Sequence, residues 1–307
     1  MIYRSIDKIE KINNTADGFF DFTILIPTWN QLEHLHLLLE SLRENSKLKH
    51  QIILIVNEGS DGTRKWALNQ ADYDVVISPE NIGVCLGLNS ARSLVKSKYL
   101  VYMNDDMFVL PGWDVAIQDC IHGLGTKAFM ISGTMIEPKR AGGANHSVVS
   151  DFGSSVKDFR RLELMESHVN IRRSDWQGST WPPNVMHIDV WDLVGGMSIE
   201  FSPGLGSDPD LSRKLYAIGV REFIGLGSSQ VYHFMSKSTH RIIPNDGRRS
   251  FLLKWEQHLD DFVSSTLKRG IPYDGPIERK PSISPRWKVT LRIIKYLIKN
   301  LFPLKRK

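Results

Sequence analysis

The stretch Leu100-Val101-Tyr102-Met103-Asn104-Asp105-Asp106-Met107-Phe108-Val109 decides how this chain is read. An apolar, β-branched and aromatic run stops at a polar cluster holding two adjacent carboxylates. A buried strand cannot hold two unpaired charges, so the cluster is expected where the strand leaves its sheet. In open α/β sheets that end of the strand is where ligands bind. Two neighbouring acids repel each other, and a divalent cation relieves the repulsion; a solvated turn would tolerate them equally.

Strands and helices alternate outward from this point. Residues 22–27 read as a short buried strand stopped by Pro27. Leucines 32, 35, 38, 39 and 42 then mark one helix face. Residues 51–56 form a second buried strand, followed by the turn-rich 57–63, where Ser60 or Asp61 caps a helix through Trp66 and Leu68. Residues 73–77, 84–95 and 98–103 read as strand, helix and strand. This spacing calls for a parallel sheet with crossover helices, an α/β class.

Beyond residue 110 the pattern loosens. A helix is expected over 113–121, a strand over 128–132, and an irregular region over 137–185. Residues 190–201 contain Gly195-Gly196 and then an expected strand. A helix over 208–218 closes at Gly219, two short strands fall at 220–224 and 230–234, and one helix is expected over 250–268. The chain divides into an N-terminal extension (1–18), a first half (19–110), a second half of the same domain (111–275) and a tail (276–307).

Charge is distributed unevenly. The 307 residues carry a formal net charge of +5. Residues 279–307 hold ten basic side chains and no acid, so residues 1–278 carry 29 basic against 34 acidic groups, a net −5. A nucleic-acid footprint spread over the fold is disfavoured. Cys85 and Cys120 have no metal-type spacing and suit a reducing compartment. Residues 1–22 show no secretory leader pattern, and no stretch approaches the roughly 20 apolar residues of a spanning helix. A cytoplasmic address is expected. In the tail, Trp287, Leu291, Ile294, Ile298 and Leu301 share one helical face, and Lys288, Arg292, Lys295 and Lys299 another. Such a cationic amphipathic helix over 285–302 suits an anionic membrane surface, or a helix packed on the body with its basic face in water.

Taken in order, Ile26-Pro27-Thr28-Trp29-Asn30, Asn57-Glu58-Gly59-Ser60-Asp61-Gly62-Thr63, Glu80-Asn81-Ile82-Gly83 and Asn104-Asp105-Asp106 resemble family 2 glycosyltransferases of GT-A fold. Val194-Gly195-Gly196-Met197 and Ser207-Asp208-Pro209-Asp210-Leu211-Ser212-Arg213 are similar to that family's acceptor-half motifs. The resemblance covers roughly residues 20–235 and implies a Rossmann-like, mostly parallel sheet flanked by helices. It implies sugar transfer from a nucleotide-diphosphate donor to a saccharide or lipid-linked saccharide hydroxyl, in cell-surface polysaccharide or glycolipid synthesis.

On that resemblance, Pro27, Thr28, Asn30, Asn57, Glu58, Asn81, Gly83, Asn89, Asn104 and Asp105 would line the donor. Asn57 stands where the family usually places an acid. Asp106 and His233 would hold Mg²⁺ or Mn²⁺, since hard cations favour carboxylates, phosphate oxygens and water. Asn104 departs from the family's Asp-x-Asp pattern. An inverting displacement needs a carboxylate to take the acceptor proton; Asp208 holds that position, with Asp210 as fallback, and Ser207 replaces the family's glutamate. Asp208-Pro209 is also a good helix start. Trp181, Gly195, Gly196 and Arg213 would meet the acceptor, with Trp176, Trp181, Pro182 and Pro183 offering flat faces to sugar rings. Two other classes remain open: a sugar nucleotidyltransferase, although no Gly-rich basic loop follows the first strand, and a catalytically degenerate, membrane-attached nucleotide-sugar-binding protein.

Overall fold

A computed structural model describes residues 7–140, 146–171, 173–236 and 245–278, with helical positions 287, 290, 291 and 293–295 of the tail. The described strands join one eleven-stranded sheet. Strand β1 (Glu10–Ile12) lies at one edge. Then β2 (Phe22–Thr28) leads to helix α1 (Leu32–Asn45), β3 (His50–Asn57) to α2 (Thr63–Leu68), β4 (Asp74–Ser78) to α3 (Gly83–Ala91), and β5 (Tyr99–Tyr102) to the acidic cluster. Strands β4, β3, β2 and β5 are parallel neighbours. The expected α/β alternation of the first half is therefore the observed one.

Apolar residues on successive strand positions cover both faces of this sheet, as a doubly covered parallel sheet requires. Ile24 and Ile26 pack with Leu35, Leu38 and Leu42 of α1 on one side. Leu25 packs with Cys85 and Leu88 of α3 on the other.

Strand β6 (Met107–Val109) follows the acidic cluster, and α4 (Trp113–Leu124) leads to β7 (Phe129–Glu137). Strand β7 runs five residues past the expected 128–132 and ends on Glu137. The irregular region holds β8 (Ser147–Val149), α5 (Arg161–Ser167), β9 (Trp176–Gln177) and β10 (Asn184–His187). Strand β10 inserts antiparallel between β5 and β7 and welds the two halves into one sheet. Helix α6 (Ile188–Leu193) and a short 3₁₀ turn (Ile199–Phe201) occupy the span in which a strand was expected. Helix α7 (Ser207–Ala217) follows, and then one long strand, β11 (Glu222–His233), replaces the two expected short ones. The expected helix over 250–268 is broken. Helix α8 (Gly247–Trp255) ends at Glu256 in the left-handed region, with α9 (Leu259–Asp261) and a π-helical turn (Phe262–Thr266) beyond it.

The length of β11 comes from a bulge. Its register against β7 shifts between Leu226 and Gln230, where Thr134 Oγ1 donates to the Leu226 carbonyl at 2.7 Å and accepts from Trp176 Nε1 at 2.9 Å. Trp176, expected as a sugar platform, is instead buried as a wedge behind the bulge. Past the bulge β11 pairs antiparallel with β6, setting His233 opposite Met107. That register brings the end of β11 beside Asp106.

Most of the basic tail lies outside the described residues. Within it, Trp287 and Leu291 are exposed. No helix among the described residues is long and apolar enough to cross a membrane.

A Cβ on Gly225 would fall inside the Trp176 indole ring. Gly225→Ala should therefore lose about 1–3 kcal/mol or more in a denaturant titration, because a packed core resists overfilling. Gly123→Ala, in α4 with open space around the site, should instead gain up to about 1 kcal/mol.

Candidate active site

A cavity of about 460 Å³ opens at the ends of β2, β3, β5 and β11, a size that suits a small-molecule ligand. Of the residues expected at the donor, Pro27, Thr28, Asn57, Asn81, Gly83, Asn104 and Asp105 line it. Asp106, His233, Asp208 and Ser236 line it as well, so residues 130 positions apart meet in one space.

The first wall is built from backbone turns. Asn57, the last residue of β3, accepts from the Ile82 N–H at 3.1 Å, and Asn81 accepts from the Gly83 N–H at 2.9 Å. Gly83 sits at φ +78°, and a Cβ there would stand 3.1 Å from Pro203 Cα. The first half can close against the 203–205 loop because that position is glycine.

The opposite corner is electrostatic. Asp106 accepts from the Ser236 N–H at 2.7 Å and lies 3.4 Å from His233 Nε2. The other imidazole nitrogen of His233 sits 2.9 Å from Glu137 Oε1, at the end of β7. Burial alone would raise the Asp106 carboxyl, but the His233 charge and hydrogen bond hold it well below the usual carboxylate range. Burial likewise opposes charge on His233, yet Asp106 and then Glu137 keep it protonated above its ordinary value.

Asp208 has the reverse environment. It sits in the first turn of α7, and burial pushes its carboxyl up to about 7, with only its own backbone N–H acting the other way. A carboxylate tuned to neutrality can take a proton from a hydroxyl and return it to water. Asp210 is two residues further, about 200° around the helix, and faces the interior. It pairs with Lys254 at 3.0 Å and accepts from Trp255 Nε1 at 2.7 Å. The fallback base is therefore a structural ion pair, away from the cavity.

Several other expected contacts are also spent on the fold. Asn89 clamps Met197 through both amide atoms, each at 2.8 Å, so its amide does not line the cavity. Gly195 and Gly196, at φ +71° and +62°, close the end of α6, and a Cβ on Gly196 would stand 2.9 Å from Trp191. Arg213 donates to Gln257 at 3.3 Å and lies over the Trp255 ring at 4.7 Å, within the α7–α8 packing. Asn30 accepts from the Ser60 N–H, and Glu58 accepts from Trp29 Nε1 at 2.7 Å, so both brace the turns behind the cavity. Trp29, not assigned a role from sequence, lines the cavity itself, as do Tyr102 and Met235.

A second cavity of about 570 Å³ adjoins the first across Asn104, His233 and Met235. Trp181 and Pro182 line it, as do Glu137, His146 and Arg269. Glu137 had a signal in the sequence: like Asp106, it is a charge ending an apolar run.

Residues 23–158 match the model of glycosyl transferase family 2. Residues 23–158, a little under half of the chain, are thus the part that resembles this family. Its structure is similar to that of residues 1–349 of S. aureus TarS, at 10% identity and a TM-score of 0.53, covering 80% of this chain and 69% of that one. It is also similar to GalNAc-T7, solved with UDP, GalNAc and Mn²⁺, at 12% identity and a TM-score of 0.55. That likeness covers 95% of this chain and 60% of GalNAc-T7. TarS in complex with UDP gives a TM-score of 0.51 over 80% of this chain and 70% of that one, at 12% identity. These likenesses establish the GT-A fold of the transferase. No curated protein matches the sequence.

The raised Asp208 carboxyl makes the fold lose stability as pH climbs. The folded state holds its proton up to about pH 7, whereas an unfolded chain releases it near pH 4. The penalty is absent below pH 4 and complete above pH 7. Asp208→Asn should therefore raise the melting temperature at pH 8, by an effect on the order of 1–4 kcal/mol, and leave it unchanged at pH 4. Differential scanning calorimetry at the two pH values reads the difference.

Proposed function

We propose that the transferase moves a sugar from a nucleotide-diphosphate donor to a hydroxyl of a saccharide or lipid-linked saccharide, with inversion and with Mg²⁺ or Mn²⁺. One observation carries the reading: a carboxylate held near neutrality by burial, Asp208, shares a cavity with the Asp106–His233 pair. The complexes of TarS with UDP and of GalNAc-T7 with UDP, GalNAc and Mn²⁺ support it.

Asp106 and His233 fit a divalent cation as a carboxylate and an imidazole meeting in the donor cavity. No group of three or more His, Cys, Asp or Glu side chains suited to a metal occurs among the described residues. A site with two protein ligands leaves its remaining positions to diphosphate oxygens and water, as Mg²⁺ and Mn²⁺ sites on nucleotides usually do. Bound there, the cation would neutralise charge growing on the departing diphosphate. His233 must lose its proton to bind a metal, and Glu137, on the far side of the ring, orients it.

Trp29, Thr28 and Asn57 offer a flat ring and hydrogen-bonding groups to the base and ribose, and Asn81 and Gly83 border the donor through their turn. On the opposite side, Asp208 takes the acceptor proton as the new glycosidic bond forms and the bond to the diphosphate breaks. A degenerate sugar-nucleotide binder would gain nothing from a half-buried carboxylate that costs stability above pH 7.

We also place the transferase on the cytoplasmic face of an anionic membrane, in surface polysaccharide or glycolipid synthesis. The basic, aromatic tail supports this, with Trp287 and Leu291 exposed. Its source is the charge asymmetry between tail and body.

Three measurements test the proposal. A screen of UDP-, GDP- and dTDP-sugars by nucleotide-diphosphate release should find a donor whose kcat/KM rises with pH through about 7 as Asp208 ionises. Asp208→Asn should bind the same nucleotide equally well and lose at least about 100-fold in kcat; full activity in that variant would remove Asp208 from the role of base. Deleting residues 281–307 should release the protein from phosphatidylglycerol vesicles without changing nucleotide affinity, and retained vesicle binding would contradict the tail's role.

A further inference from the structure

The second cavity holds a cation that makes no ion pair among the described residues. Of the basic groups lining it, His233 is paired with Glu137 at 2.9 Å and with Asp106, and Arg248 is paired with Asp260 at 3.0 Å. Arg269 has no carboxylate within ion-pairing distance and its guanidinium donates no hydrogen bond to a protein group among the described residues; Asp260, which lines the same cavity, acts on it only from a distance and is itself paired with Arg248. It lies instead over the Trp181 ring, 4.2 Å from the centroid. A guanidinium stays charged at any working pH, and half-burying one without a counter-ion is costly. Its retention at this position makes sense if a ligand supplies the charge.

A second unpartnered group lines the same space. His146 is 6% exposed, and its Nδ1 has no hydrogen-bond partner. Its ring stacks on Trp181 with centroids 5.0 Å apart and planes 18° from parallel. Burial, followed by the nearby Arg269 charge, keeps this imidazole neutral, so it offers a hydrogen bond rather than a charge. Trp181 thus positions His146 and Arg269, where the sequence suggested a ring open to a sugar. The arrangement is one fixed cation beside one neutral hydrogen-bonding group.

We infer that this cavity receives the acceptor through an anionic group, a carboxylate or a phosphate, bound by Arg269 with His146 beside it. The inference rests on the glycosyl-transfer reading and names the acceptor's chemical class. The cavity borders the donor cavity at Asn104 and His233, so an acceptor anchored at Arg269 lies next to the donor rather than on it. Two sources share this chemistry: a uronic acid in a saccharide, and the diphosphate of a lipid-linked sugar. A guanidinium accepts either in a bidentate pair.

Calorimetric titration of the full chain tests this with three probes: methyl β-D-glucuronide, methyl β-D-glucoside, and a glucose linked by diphosphate to a short prenyl chain. At least one anionic probe should bind about tenfold or more tightly than the neutral glucoside, and the tighter one identifies the source. Arg269→Gln should bring that ratio to within about twofold, and Arg269→Lys should restore part of it, with UDP, GDP and dTDP affinities in Mn²⁺ unchanged in both variants. Equal binding of anionic and neutral probes, or a ratio that survives Arg269→Gln, overturns the inference. So does a loss of nucleotide affinity in Arg269→Gln in step with the anionic probe, which would assign Arg269 to the donor. If no nucleotide binds the unaltered protein, the transfer reading fails, and anion binding at Arg269 would no longer denote an acceptor.

Discussion

The contact between Asp106 and His233 is the constraint around which the rest of the structure is arranged. Asp106 ends the segment that leaves β5, and His233 ends β11, over 120 residues later. The pair can form only if β11 runs its full length, with the bulge between Leu226 and Gln230 setting its register against β6. The bulge in turn depends on Trp176, Thr134 and the bare backbone at Gly225. Glu137 completes the chain of charge from the end of β7. A buried acid, imidazole and acid are tolerable only together, because any one alone would carry a large desolvation cost.

Two carboxylates on α7 show how position alone divides labour. Asp208 and Asp210 are two residues apart and so point to opposite sides of the helix. Asp210 is fully buried, matched by Lys254 and the Trp255 indole, and locks α7 to α8. Asp208 has no such match and faces the cavity. The first is a structural charge; the second is a poised one, kept at a cost in stability that a neutral asparagine would remove.

The first half of the fold was legible because its signals are local: apolar strand runs, the leucine face of α1, and turn residues at each strand end. The cavity residues carried by those strand ends, from Thr28 to Asp106, were legible for the same reason. The second half was not, because its elements are set by partners distant in sequence. Strand β10 is four residues long and gains its identity from β5 and β7 on either side. Asn89, Arg213 and Asp210 have the residue types of ligand contacts, but they are spent on Met197, Gln257 and Lys254, contacts that no local pattern announces. Arg269 follows a broken helix read from periodicity as continuous, and its unmatched charge becomes visible only when its neighbours' pairings are known.

Asp106 and His233 are the proposed cation site of the donor. Electron–nuclear double resonance of Mn²⁺, bound to the protein with the nucleoside diphosphate of its donor, tests this at the atoms concerned. A nitrogen coupling from one imidazole alongside the phosphorus couplings, with the nitrogen signal lost in His233→Ala, is the predicted result. Phosphorus couplings with no nitrogen signal, or a nitrogen signal that survives His233→Ala, would contradict it.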